Sequence, residues 1–279
     1  MAMKINTYKL LRRAQDLGLT ILAFVFMLPT AFVFFWMISL ALKSQVENTS
    51  YPPIFLPSSL NLQNFARALG GDFWHHTWNT LIIATGTTLL GLLLGAPASF
   101  AVVRWNYHRL ALFTLIARIV PAMCYLIPWF VLFRQLRLIN THIGLILANL
   151  TVILPLIIWM LISYFEDTPR ELEDAAAIDG CSNYGIFWRI ALPLAGPGVI
   201  ATGIITFIFS WNIFLFAIVL GGRDTRVLPV AVYSLLTFEE INWGPLAAAA
   251  FLITVPVLVL TMFVQRYIVS GLSFGAVKG

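Results

Sequence analysis

The chain has 279 residues, 60% of them hydrophobic and only 10% charged, with a formal net charge of +5. A soluble domain carries about 25% charged residues, so this composition excludes an ordinary water-soluble protein. The basic excess needs no nucleic-acid partner, because the positions of the basic residues account for it as a membrane-topology signal.

Basic residues Lys4, Lys9, Arg12 and Arg13 precede a first apolar run, Leu17–Leu42. That run is longer than the apolar core of a signal peptide, and no small-residue cleavage site follows it, so it is expected to be a retained first helix. Lys43–Trp78 comes next, with turn signals at Tyr51-Pro52-Pro53 and Leu56-Pro57-Ser58-Ser59. Five further apolar runs follow: Asn79–Val103, Leu110–Phe133, Ile143–Phe165, Gly198–Leu220 and Leu246–Ile268. A run of about 20 apolar residues crosses the hydrocarbon core as a helix. A membrane β-barrel would show short alternating segments instead. The expected fold class is therefore all-α: a polytopic membrane protein with six transmembrane helices, forming one domain over residues 1–279. Pro121, Pro128, Pro155 and Pro256 lie inside these runs and mark kinks.

Lys and Arg set the orientation. With the N-terminus inside, the inner segments hold Lys4, Lys9, Arg12, Arg13, Arg104, Arg109, Arg170, Arg189, Arg266 and Lys278. The outer segments hold Lys43, Arg67, Arg134, Arg137, Arg223 and Arg226, and Arg118 falls within a run. The positive-inside bias thus places both termini in the cytoplasm. Cys124 and Cys181 lie at different depths, which argues against a disulfide. His75 and His76 are adjacent, cannot share a helix face, and read as interfacial residues; no metal-ligand cluster is present in the sequence.

The segment between the fourth and fifth runs, residues 166–197, is the most distinctive. Thr168 fits a helix N-cap, Pro169 the first helical position, and Glu171 a capping box. Leu172, Ala175, Ala176 and Asp179 share one helix face. Gly180 suits a left-handed helix end. Ser182 can cap a second short helix bearing Tyr184, Phe187 and Trp188, which Pro193 closes. On the residues alone, two readings stand: a docking element for a soluble protein, or a hairpin lying on lipid headgroups.

The same segment resembles the cytoplasmic loop motif of bacterial ABC importer permeases: Glu-Ala-Ala, three residues, Gly, nine residues, Ile, any residue, Leu-Pro. Here Asp174, Ala175 and Ala176 stand for the first three, preceded by Glu173, and Gly180, Ile190, Leu192 and Pro193 complete it. Aspartate at 174 departs from the usual glutamate. Ala117–Pro121 with Ile127-Pro128 resembles the third span of carbohydrate-type, maltose-like permeases. Phe207–Leu220 resembles their fifth span, and Gln265–Gly279 the tail of the shorter of their two permeases. Ile213 departs from the pattern, since many relatives carry a polar or acidic residue there.

The resemblance implies one permease subunit of an ATP-driven importer for a sugar or sugar-like solute, in the bacterial inner membrane. Its partners would be a second homologous permease, an ATPase dimer, an extracytoplasmic solute-binding protein and the lipid bilayer. The chain has no Gly-rich loop followed by Lys and Ser or Thr. ATP and Mg would therefore be used by the partner ATPase, no cofactor is expected on this chain, and the chain is not expected to be an enzyme. Glu173, Asp174, Ala175, Ala176, Gly180, Ile190, Leu192 and Pro193 would couple it to the ATPase, and the tail 270–279 would be a second cytoplasmic contact. Substrate-pathway candidates are Tyr125, Asn149, Thr151, Ser210, Trp211 and Asn212, each equally able to serve helix packing. Arg118 could line the path, pair with the partner permease, or snorkel. Arg223, Arg226, Glu239 and Glu240, in the outer loop Gly221–Pro245, would receive the binding protein. The competing classes are an ion-coupled transporter or channel working without an ATPase, and an intramembrane enzyme. The runs from Leu17 to Phe165 and from Gly198 to Leu220 contain no acid for proton coupling, and no catalytic constellation appears.

Overall fold

The computed structural model of the chain describes the backbone of residues 2–236 and 241–275, and side chains within 15–107, 109–236 and 241–265. In chain order its helices are α1 (Ala2–Leu42), α2 (Gln45–Asn48), α3 (Gln63–Leu69), α4 (Phe73–Arg104), α5 (His108–Ile119), α6 (Ala122–Gln135), α7 (His142–Glu166), α8 (Arg170–Ile178) and α9 (Asn183–Ile186). A π-turn (Phe187–Ala191) leads into α10 (Leu192–Leu194), followed by α11 (Gly196–Trp211), α12 (Leu215–Leu220), α13 (Leu228–Tyr233) and α14 (Trp243–Gly275). The described residues contain no strand, only an isolated bridge between Leu236 and Ile241.

Four stretches are long and apolar enough to cross a membrane: Gln15–Leu42, Phe73–Arg104, His142–Glu166 and Trp243–Gln265. Two bent pairs, Arg109–Ile119 with Ala122–Gln135 and Asn183–Leu194 with Gly196–Trp211, raise the number of crossings to as many as six. The first pair turns through 89°. Its cause is local: Val120 is forced extended (φ −65°, ψ 121°) by the proline that follows it. A kink expected inside one span is thus a complete break. The Tyr125 hydroxyl donates to the Ala117 carbonyl across the corner (2.8 Å). Pro128, Pro155 and Pro256 instead lie inside helices that continue through them.

Three other sequence expectations change. The run Gly198–Leu220 is two helices, because α11 stops at Trp211, where the Asn212 side chain donates to the Ile208 carbonyl (2.8 Å) and competes with the backbone. Thr168 does not cap α8. Pro169 takes the extended conformation before the helix (φ −59°, ψ 124°), and the Thr168 hydroxyl turns back to the Tyr164 carbonyl (3.1 Å). Nor does Pro193 close the second short helix. The Leu192 N–H bonds five residues back to Phe187. Pro193, which has no N–H, lies within α10, and the 76° bend falls at the Ala195–Gly196 junction.

The chain divides into two compact units, residues 1–70 with 236–252, and 71–235 with 253–279. In the first, Ala41, Ala247 and Ala248 pack with Met37, Leu40 and Phe65. Lys43 is only 1% exposed; its Nζ donates to the Ile54 carbonyl (2.7 Å) and lies 4.3 Å from the Trp36 ring centre. Burial pushes the Lys43 pKa down, and the Glu47 carboxylate partly offsets this. Glu47 holds the loop beyond it through hydrogen bonds from Ser58 and Ser44, which pull its pKa to about 2.

In the second unit α4, α7 and α11 pack closely through small residues, the usual device where lipid removes the hydrophobic drive between helices. A Cβ on Gly95 would lie 2.6 Å from Ile157 Cγ2, and one on Gly198 2.2 Å from the Tyr164 ring. The Ser99 hydroxyl reaches both the Gly95 carbonyl (2.7 Å) and the Ile158 carbonyl of α7 (3.1 Å).

Candidate functional site

The segment after α7 is built as two capped helices. At its end α8 closes with paired backbone bonds, Gly180 N–H to the Ala177 carbonyl (3.1 Å) and Cys181 N–H to the Ala176 carbonyl (2.9 Å). That closure requires the left-handed Gly180 (φ +84°). Ser182 then caps α9, its hydroxyl accepting from the Gly185 N–H (3.2 Å). Both features were readable in the sequence.

The faces are arranged differently from expectation. Within α8 only Glu173 and Ala176 are buried, whereas Leu172, Asp174, Ala175 and Asp179 are exposed. Glu173 turns inward and accepts two hydrogen bonds from the Arg104 guanidinium at the end of α4. Next to it, Arg170 Nη2 donates to the Val103 carbonyl (3.2 Å). Beneath the pair, Phe100, Phe165 and Phe187 pack in tilted and edge-on contacts with ring centres 5.4–6.3 Å apart. Ile190 is half-buried and Leu192 packs against the same core. Leu172 (47% exposed), Ile178 (87%), Tyr184 (75%) and Trp188 (43%) are exposed apolar side chains on an otherwise acidic segment. The Arg104–Glu173 pair was missed because 69 residues separate its members. The available signal was an arginine just past one apolar run and an acid within the next segment assigned to the inner side.

The substrate-pathway candidates do not form one surface. Asn149, Ser210 and Trp211 are buried within the chain's own bundle, where Trp211 Nε1 donates to the Ile253 carbonyl (3.2 Å). Among the described residues, Asn149 Nδ2 and Ser210 Oγ are buried without a hydrogen-bond partner, as are the Thr87, Thr88 and Thr202 hydroxyls. Thr151 is half-buried and bonds to the Ala148 carbonyl (2.5 Å), while Asn212 is exposed. Arg118 is exposed in the last turn of α5, where the helix dipole favours a cation.

At the opposite end of α4 and α7 a polar network fixes the loop between α12 and α13. Asn79 Nδ2 donates to the Asp224 and Arg226 carbonyls (2.9 and 3.0 Å), and its Oδ1 lies 2.8 Å from His142 Nε2. Asn140 donates to the Asp224 carboxylate (2.7 Å) and accepts from Thr225 (3.0 Å). His75 Nε2 lies 3.1 Å from the Asp224 carbonyl. Arg223 and Arg226 are exposed on that loop, and Glu239 and Glu240 lie outside the described residues.

Residues 87–274 match the family model described as "Binding-protein-dependent transport system inner membrane component". The chain belongs to this family. Members related over most of their length include the sulfoquinovosyl glycerol transport system permease protein SmoH of Agrobacterium fabrum, 34% identical over 88% of this chain and 87% of that one. The trehalose transport system permease protein SugB of Mycobacterium tuberculosis is 35% identical, over 88% and 91%. The trehalose/maltose transport system permease protein MalG of Thermococcus litoralis is 31% identical, over 94% and 95%. Among solved structures, a chain of a bacterial ABC transporter that imports the acidic polysaccharide alginate superposes with a TM-score of 0.74 at 21% identity, covering 91% of this chain and 96% of that one. A chain of the MetNI methionine ABC transporter gives 0.58 at 18% identity, covering 75% and 96%. The fold is that of ABC importer permeases. As a member of the family, the chain is a multi-pass inner-membrane transport component and not an enzyme.

Proposed function

We propose that this chain is one of two permease subunits of an ATP-driven importer for a sugar or sugar-like solute, with both termini cytoplasmic. The observation that carries the coupling role is the set of exposed apolar side chains Leu172, Ile178, Tyr184 and Trp188 along α8, α9 and the π-turn. Exposed apolar side chains on a polar loop mark a contact with protein or membrane, and the motif favours a protein partner. The resemblance in sequence supplies one, an ATPase dimer that holds ATP and Mg. Asp174, Ala175 and Ala176 belong to the motif, and Asp174 and Ala175 lie exposed for that contact. Glu173, Gly180, Ile190, Leu192 and Pro193 hold the element's shape.

The solute class rests on the relatives, whose names include trehalose, maltose and sulfoquinovosyl glycerol transport. Of the substrate-pathway candidates, the exposed Asn212 and the half-buried Thr151 are the ones proposed to meet a solute without helix movement. Asn149 and Ser210 would do so only if α7 and α11 part. Arg223 and Arg226 are offered to a binding protein. The test is co-purification: Ile178→Ser with Tyr184→Ser should leave the permease folded and reduce the ATPase recovered with it. Undiminished ATPase recovery would refute this docking face.

A further inference from the structure

The chain itself ties α8 to α7 and, through α9, to α11. The structure adds an attachment to α4 that no chain connection requires. Arg104, the last residue of α4, meets both carboxylate oxygens of Glu173, and the two side chains are 10% and 8% exposed. One turn earlier on α8, Arg170 bonds to the carbonyl of Val103, the neighbour of Arg104. Two adjacent residues of α4 therefore hold α8 at two points along its axis. One contact would act as a pivot; two fix direction as well as position. Bidentate guanidinium–carboxylate pairing adds the same directional constraint. The guanidinium also lies 5.5 Å from the Phe100 ring centre, on the aromatic cluster that joins α4, α7 and the π-turn. Buried in this way, either charge left alone is strongly unfavourable, which holds the pair together.

We propose that Arg104 and Glu173 are positioning residues that make α4 move with α8 as one body, so that the coupling element displaces the second span directly. Glu173 works inside the chain, and the neighbouring Asp174 is left to face the partner. This deepens the coupling role proposed above and rests on it.

The test uses the whole transporter in liposomes, with Cys124→Ser and Cys181→Ser as the parent chain. Into this parent go Arg104→Cys and Glu173→Cys. Before linking, ATPase subunits should still co-purify and hydrolyse ATP, while solute moved per ATP falls about tenfold, within the range for coupling mutations. Joining the two cysteines with a short bifunctional thiol reagent should restore that ratio to within about threefold of the parent. An unlinked pair that keeps the parental ratio would overturn the proposal. So would a linked pair that still hydrolyses ATP but cannot transport, because α8 would then have to move against α4. If the double variant does not assemble, Arg104→Lys keeps the charge and loses the second bond: a lowered ratio supports the link, and a parental ratio overturns it. A parent chain that recovers no ATPase would instead overturn the coupling role itself.

Discussion

Gly198 shows how much can depend on one hydrogen atom. A Cβ there would lie 2.2 Å from Cγ at the base of the Tyr164 ring, which cannot swing aside as a chain end can. Gly198→Ala should therefore lower stability by about 1–3 kcal/mol, the usual cost of overpacking. Gly196→Ala, where nothing lies within 4 Å, is the matched control. Thermal unfolding in detergent should show a lower Tm for the first and little change for the second. Glu47 gives a pH signature. Its pKa is lowered from 4.5 to about 2, so its hold on the loop is complete above 4.5 and is lost as pH falls towards 2. Protection of the amides of residues 54–58, relative to their intrinsic exchange rates, should fall over that window in the parent chain, and Glu47→Gln should lack that protection throughout, without the step. A parent chain with no step would contradict the assignment.

At the scale of elements, Gly180 is the decisive hinge between α8 and α9. Its φ of +84° is closed to proline, whose ring holds φ near −65°. Gly180→Pro should misalign α9 and lose transport while the core of α4, α7 and α11 stays folded, which circular dichroism and a transport assay together would show. Normal transport in this variant would remove α8–α9 from the coupling pathway. The two caps were legible in the sequence because glycine and serine act locally, over one turn. The apolar runs were legible because lipid demands them. The π-turn that carries the helix past Pro193 was not, since it depends on Phe187 and Ala191 packing into the core. The inward turn of Glu173 was hidden for a similar reason: helical spacing places it beside Asp174, and only the distant Arg104 decides which acid is buried. Burial of Asn149, Ser210 and Trp211 likewise follows from helix contacts that spacing does not encode.

For the whole molecule, the proposed orientation would turn the exposed apolar side chains of α8–α9 towards a cytoplasmic ATPase and the Arg223–Arg226 loop towards an outer binding protein. Single cysteines at Tyr184 and Arg223, in a chain lacking Cys124 and Cys181, should react with an impermeant thiol reagent from opposite sides of sealed vesicles. Labelling from the same side would invert or break the arrangement. The most direct measurement is purification of the chain from its native membrane in mild detergent, with identification of what co-elutes and an ATPase assay on the same sample. A second permease and an ATPase whose hydrolysis rises with an added sugar-binding protein is the predicted result. A lone chain that moves solute after reconstitution, with no ATPase, would contradict it.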